Sequence, residues 1–382
     1  MKRLFKSALS IALVSALFVS CGSDDNSNDN GGGNPNPNPT ENIGQTLKKG
    51  QTLTLEKNKK YNLSSKLVVE EGAILNIEEG VEIIGTGGTS SYIAVAQGGQ
   101  IFVKGTNTNP VVMTALEKKR GSWGGLVVCG KAPINKAKTA TAEVSDLTYG
   151  GDISNDNSGS IRYLRIEYAG ANFNSEKEFN GLSLFGVGSG TKIEYVQAHE
   201  GSDDGFEWFG GTVSAQYLVS THNDDDQFDW TEGWNGQENK FWYAKQSGTA
   251  DKGFEADNNS KTRTAEPYSN PTIDGITLIA AVKGEGTAMK LREGTKGKMK
   301  NVVLSGWKTA FDVEHDETIA NVANGSLLVS NVKLIDVTEK AKGKNTAGAS
   351  VDVNGVFVEG NNQGAGNSAN APEWTKGWTL GL

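Results

Sequence analysis

From residue 46 onward the chain is written in short runs of alternating apolar and polar residues, each closed by Gly, Asn or Asp. Lys66-Leu67-Val68-Val69-Glu70-Glu71-Gly72 is followed by Ala73-Ile74-Leu75-Asn76-Ile77-Glu78-Glu79-Gly80 and then by Val81-Glu82-Ile83-Ile84-Gly85. Gln100-Ile101-Phe102-Val103-Lys104 and Trp123-Gly124-Gly125-Leu126-Val127-Val128 continue the style. Side chains alternate across a strand, so these runs predict strands and turns. No long stretch carries a helical period. Strand following strand without helices between them predicts a solenoid of β-coils.

The middle of the chain repeats openly. Asn180-Gly181-Leu182-Ser183-Leu184, Asp204-Gly205-Phe206-Glu207-Trp208, Asp226-Gln227-Phe228-Asp229-Trp230, Lys252-Gly253-Phe254-Glu255-Ala256, Thr287-Ala288-Met289-Lys290-Leu291 and Thr309-Ala310-Phe311-Asp312-Val313 form one series, with steps of 24, 22, 26, 35 and 22 residues. A second series holds Tyr163-Leu164-Arg165-Ile166, Tyr195-Val196-Gln197-Ala198, Tyr217-Leu218-Val219-Ser220 and Phe241-Trp242-Tyr243-Ala244. One such unit cannot bury its inner face alone, whereas stacked units can, so each unit reads as one turn of a parallel β-helix. Long steps are then loops inserted at turns, and 135–159, 171–179 and 258–271 become candidate walls of a binding groove.

Alternation also assigns faces. With Phe206/Trp208 and Phe228/Trp230 inside, Ser183, Glu207, Asp229, Glu255, Lys290 and Asp312 point outward, and Glu207, Asp229 and Glu255 form an acidic ladder with a rise of about 4.8 Å. The preceding turns add Asp203 and Asp204, then Asp224, Asp225 and Asp226, then Asp251. Such an oxygen-rich edge suits Ca²⁺, with Asp204, Glu207, Asp226 and Asp229 as ligands built across coils; the plain alternative is a solvated acidic face whose Asp residues close turns. His199 and His222 stand near Asp203 and Asp226. They are read either as acid–base or metal-binding groups or as turn histidines bonded to Asp. In the second series Tyr163, Tyr195, Tyr217 and Phe241 point outward on four successive coils. That stack is either a platform for sugar rings, whose C–H faces pack on π faces, or a surface covered by a loop or by Trp234.

The N-terminus changes the setting. Lys2, Arg3 and Lys6 precede an apolar run from Ala8 to Val19, which suits a secretory signal over 1–20 and is shorter than the roughly 20 residues a membrane-spanning helix takes. Residues 21–45, rich in Asn, Gly, Pro and Asp, have too little apolar surface to fold and read as a tether. The folded domain is expected over 46–382. With two Cys in the chain and one in the signal region, no internal disulfide is expected to staple the fold. The formal charge of −8 and the lack of basic clusters disfavour nucleic acid as a partner.

Phe18-Val19-Ser20-Cys21 resembles a bacterial lipoprotein signal, which implies lipidation of Cys21 and a membrane anchor. Cys21-Gly22-Ser23-Asp24-Asp25 resembles the acidic signal that sends Bacteroidetes lipoproteins to the outer face of the outer membrane. Trp123-Gly124-Gly125 and the closing Trp374-Thr375-Lys376-Gly377-Trp378-Thr379 resemble Gly-rich surface lipoproteins of the same group, with a pectate-lyase-like fold. The fold class implied is all-β, a single-stranded right-handed parallel β-helix. The function expected is non-catalytic binding of a glycan or other nutrient, or support of an outer-membrane uptake complex. The alternative is a Ca²⁺-dependent polysaccharide lyase, or a glycoside hydrolase, with Asp204, Asp226, Lys252, His199 and His222 as candidate catalytic groups. The characteristic polygalacturonase and pectate-lyase motif strings are absent from the sequence.

Overall fold

A computed structural model describes residues 41–175 and 177–382. The signal, Cys21 and most of the tether lie outside the described residues. The described chain is a right-handed parallel β-helix built from two long sheets of 15 and 11 strands among the described residues. The strands that carry the first repeat series pair in the expected register: Leu182 with Phe206, Ser183 with Glu207, Glu207 with Asp229, and Asp229 with Glu255. Phe206, Trp208, Phe228, Trp230 and Phe254 are fully buried, as the alternation requires.

The 15-stranded sheet is bent along its length. Early coils use two strands for it, Gln100–Lys104 and Val111–Ala115, and both pair with the single strand Gly159–Glu167. From that coil onward one residue per strand turns the corner in the left-handed region: Tyr163, Tyr195, Tyr217, Phe241, Gly275, Asn301 and Asn331, with φ between 47° and 83°. Each coil therefore has three faces. Inside them, Trp208 stacks on Trp234 and on Trp242 with ring centroids 4.8 and 4.9 Å apart. The Trp234 and Trp242 indoles donate to the Val213 and Ala215 carbonyls, so these rings are buried without stranding their N–H groups.

Two segments outside the coils cover outward faces. The insertion before Gly159 contains a small antiparallel hairpin, Ala140–Thr141 with Thr148–Tyr149, and closes a second core with Tyr92, Val127, Cys129, Phe185 and Phe209 on the outside of the 11-stranded sheet. The C-terminal segment runs back over the 15-stranded sheet. It buries Gln197, Val219, Tyr243, Thr277 and Val303, which alternation aims away from the core. Gln197 accepts from the Leu380 N–H at 2.9 Å and donates to the Leu380 carbonyl at 2.7 Å. Ala365 N–H donates to Thr277 Oγ1 at 3.0 Å, and Trp378 is fully buried.

Among the described residues one α-helix, Asp316–Ala323, interrupts the all-strand pattern between two coils. At eight residues it is too short to write a readable period. No helix among the described residues is long and apolar enough to cross a membrane.

Candidate functional site

Three outward rows carry the polar chemistry. The first is the acidic row on the 11-stranded sheet. It points away from the core as expected, but it is not a solvated face: Asp204, Asp226, Glu255 and Asp257 are buried, and Glu207 and Asp229 are half-buried. Asp204 Oδ1 accepts the Asp226 N–H at 2.9 Å, and Asp226 Oδ1 accepts the Lys252 N–H at 2.7 Å. The repeated Asp therefore has a structural task, since each pins the turn of the next coil.

The row divides by charge balance. Glu255 is paired with Arg292 and, at 3.1 Å, with Lys252. Lys290 pairs with Asp312 at 2.9 Å, and Lys342 reaches Asp312 at 3.1 Å. Higher up, no Lys, Arg or His among the described residues forms an ion pair with Asp203, Asp204, Glu207 or Asp229. Two carboxylates one coil apart repel by about 3 kcal/mol at a partly shielded dielectric of roughly 20. Burial, reinforced by neighbouring carboxylates, pushes Asp204, Glu207, Asp226 and Asp229 well above the usual carboxylate range and Asp203 up to about 7. Carboxylate oxygens of Asp204, Glu207 and Asp229 lie within 4.8 Å of one another, as do those of Asp226, Asp229 and Glu255. Burial works against the Lys252 ammonium, but Asp226, Asp251 and Glu255 outweigh it and hold its pKa above the usual lysine value.

The second row is the line of corner residues. Successive rings of Tyr163, Tyr195 and Tyr217 stack at 4.4 and 4.3 Å, and Phe241 follows at 5.2 Å. Their faces are consequently spent on one another. What a ligand meets is the edges, not the open π faces that a sugar platform requires. The cover is not Trp234, which lies in the core; it is the C-terminal segment, with Trp374 edge-on to Tyr217 and Trp378 edge-on to Tyr163 and Tyr195.

His199 and His222 also belong here rather than to the acidic row. His199 ends the strand Lys192–His199 on the bent sheet, and its Nδ1 bonds Thr221 Oγ1 at 2.8 Å instead of an Asp. The two rings are 5.8 Å apart, and Gly381 of the C-terminal segment lies against both. Burial lowers the pKa of each. The structure thus separates these histidines from Asp204, Asp226 and Lys252.

The third row was not singled out from the sequence. Just before each corner the chain presents Arg162, Glu194, Gln216 and Lys240 in register. Beside them opens a groove of about 600 Å³, lined by Ser189, Thr191, Ser214, Gln216, Gln237 and Glu238, with Ser154 of the insertion on its rim. Arg162 joins the groove to the aromatic row. It pairs with Glu194 at 3.7 Å and lies 5.4 and 5.8 Å from the ring centres of Tyr163 and Tyr195. The legible signal was a break in alternation: Glu194-Tyr195 are consecutive outward residues between buried Ile193 and Val196. Of the three predicted walls, only 135–159 borders this groove, through Ser154. Residues of 258–271 instead bond to Asn135, and Phe173 and Phe179 of 171–179 pack on the second core.

A β-solenoid with one acidic, one aromatic and one hydroxyl- and amide-rich row is the class that fold and faces define. Residues 45–379 match the model of the pectate-lyase-like β-helix domain, and the chain belongs to that family. No curated protein and no solved structure matches it.

Proposed function

We propose that this chain is a lipoprotein of the outer membrane, anchored through Cys21 and displayed at the cell surface, whose β-helix binds a glycan or similar polyhydroxylated nutrient without turning it over. It acts alone or beside an outer-membrane uptake complex. The observation that carries this reading is the open groove of about 600 Å³ whose lining is mainly hydroxyl and amide groups. Such groups recognise sugar hydroxyls, and two of the lining residues, Glu194 and Gln216, directly precede the corner residues Tyr195 and Tyr217 in the chain. Binding to a glycan array, lost in Gln216→Ala and weakened in Tyr195→Ala, supports the reading. An array with no hits, or hits unchanged by both substitutions, removes it.

The second reading is a cation-dependent polysaccharide lyase, or a hydrolase, at the acidic row. The buried carboxylates Asp204, Glu207, Asp226 and Asp229 favour it. Against it, the cations that would serve as base are occupied: Lys252 by Asp251 and Glu255, Lys290 by Asp312 and Glu314, and Arg292 by Glu255 and Asp257. Formation of unsaturated product from uronate polymers, abolished by a chelator, would establish the lyase in place of the binder.

A further inference from the structure

The C-terminal segment meets the two histidines at the far end of its path over the 15-stranded sheet. Leu380 is held there by Gln197 through both of its backbone groups, and Thr221 Oγ1 donates to its carbonyl at 3.4 Å. A Cβ placed on Gly381 would stand 2.8 Å from His199 Cε1 and 3.2 Å from His222 Cε1, so the backbone at Gly381 lies in contact with both rings. The rings are 5.8 Å apart, and His199 is buried. Hydrogen bonds show where an added proton would go. Thr221 Oγ1 accepts from Gln197 Nε2 at 2.8 Å and uses its one proton on Leu380. His199 Nδ1, 2.8 Å from the same oxygen, is therefore the donor of that pair. The next proton must go to Nε2, which has no hydrogen-bond partner among the described residues, and the His222 ring has none there either. The surrounding charges are already balanced. Arg165 pairs with Glu167 and Arg120 with Asp224, which leaves Glu200 against Lys245. Residues 377–382 bring no charged side chain.

We propose that His199 and His222 form a pH-sensitive clasp: as neutral rings they seat the C-terminal segment on the 15-stranded sheet, and when both are protonated they release it. Two imidazolium rings at this separation repel each other. They also need water, which the contact with Gly381 keeps away. The sign follows from linkage. Burial lowers the pKa of both rings in the closed state. Their support is therefore complete above the ordinary imidazole value of about 6.5 and is lost as pH falls below it. Release has a local consequence. Arg165 donates to the Trp378 carbonyl at 3.1 Å, and Trp374 and Trp378 stand edge-on to the corner tyrosines, so a lifted segment uncovers the aromatic row. The clasp neither needs nor tests the glycan reading.

The test is hydrogen exchange of the full chain at about pH 7.5 and about pH 5.5, corrected for the intrinsic exchange rate. It is read on peptides from 374–382 and, for reference, on the core strand Phe206–Phe209. Whole-chain melting would mix this response with that of the buried carboxylates, which runs the other way. Protection of 374–382 should fall about tenfold or more at the lower pH while the reference strand holds. In His199→Gln/His222→Gln, whose side chains stay polar but cannot take a charge, that pH response should vanish. His222→Gln alone, at the more exposed of the two rings, should reduce it, and this keeps the test decisive if the double variant does not fold. Equal protection of the parent segment at both pH values overturns the proposal, as does an undiminished pH response in His222→Gln.

Discussion

The aromatic row and the acidic row are made the same way and end differently. In both, the repeat sets like residues one coil apart on an outward line. The rings profit: Tyr195 stacks on Tyr163 and Tyr217 within 4.4 Å, at about 0.5–1.5 kcal/mol per pair. The carboxylates of Glu207 and Asp229 lose, since the same spacing brings like charges together. A solenoid copies position, and it rewards copying only for side chains that attract their own kind. Charged rows must recruit partners from elsewhere, as Glu255 does from Arg292.

The rows also differ in how they are closed, and that difference allows the strongest test. The aromatic row is flanked by the chain's own C-terminal segment, in which Trp378 is fully buried and donates its indole N–H to the Trp374 carbonyl at 2.9 Å. Trp378→Ala should cost about 3–5 kcal/mol in unfolding free energy, as large-to-small changes in cores do. A loss below about 1 kcal/mol, well short of that range, would mean that the segment rides on the sheet without holding it, and that the aromatic row is open to ligand more than half-burial implies.

The acidic row predicts an unusual pH profile. Asp203 and Asp257 are each held up to about 7 by burial, Asp203 with help from Asp225, whereas Arg292 pulls Asp257 the other way. The folded chain therefore keeps protons that the unfolded chain has released between pH 4 and 7. Stability is then highest toward the acid end of that range and falls as pH rises through it, on the order of 4 kcal/mol for each of the two groups. Thermal melting at stepped pH checks this, and Asp203→Asn should flatten the slope. A profile that climbs with pH would show that these carboxylates are stabilised as anions, and the contrast with the aromatic row would fail.

How much of this was legible depends on the distance between cause and effect along the chain. The register of Phe206/Trp208 over Phe228/Trp230, and with it the outward Glu207 and Asp229, follows from period-two alternation and a repeat of 22 residues. Those are local signals. The burial of that row is not local: it follows from covering segments and turns that alternation does not describe. Trp374 and Trp378 were visible as a motif, but their place on Tyr217 and Tyr195 depends on a chain reversal that brings Leu380 to Gln197, 183 residues away. His199 and His222 stand beside the acidic stretches in sequence, yet His199 ends a strand of the 15-stranded sheet and His222 sits in the bend just after the next one. Asn180 Oδ1 and Asp229 Oδ1 are sealed from solvent with no donor among the described residues, and this leaves no trace in the sequence, since hydrogen-bond deficits exist only once neighbours are fixed.

The finest distinction between the rows lies in the backbone. Corner residues sit at positive φ, a region that costs an L-residue about 1–2 kcal/mol, whereas none of Glu207, Asp229 and Glu255 does. Gly275 follows Phe241 in the corner line at φ 83°, which shows what the backbone alone would choose. Phe241 closes the stack with one ring neighbour in the row, so its side chain contributes least there. Phe241→Gly should therefore be less destabilising than Phe241→Ala, by about 0.5–1 kcal/mol, reversing the usual cost of glycine in a strand. Paired melting curves of the two variants decide it. If alanine is the better tolerated, the corner imposes no strain, and the tyrosines above are held there by packing that stacking and backbone geometry do not explain.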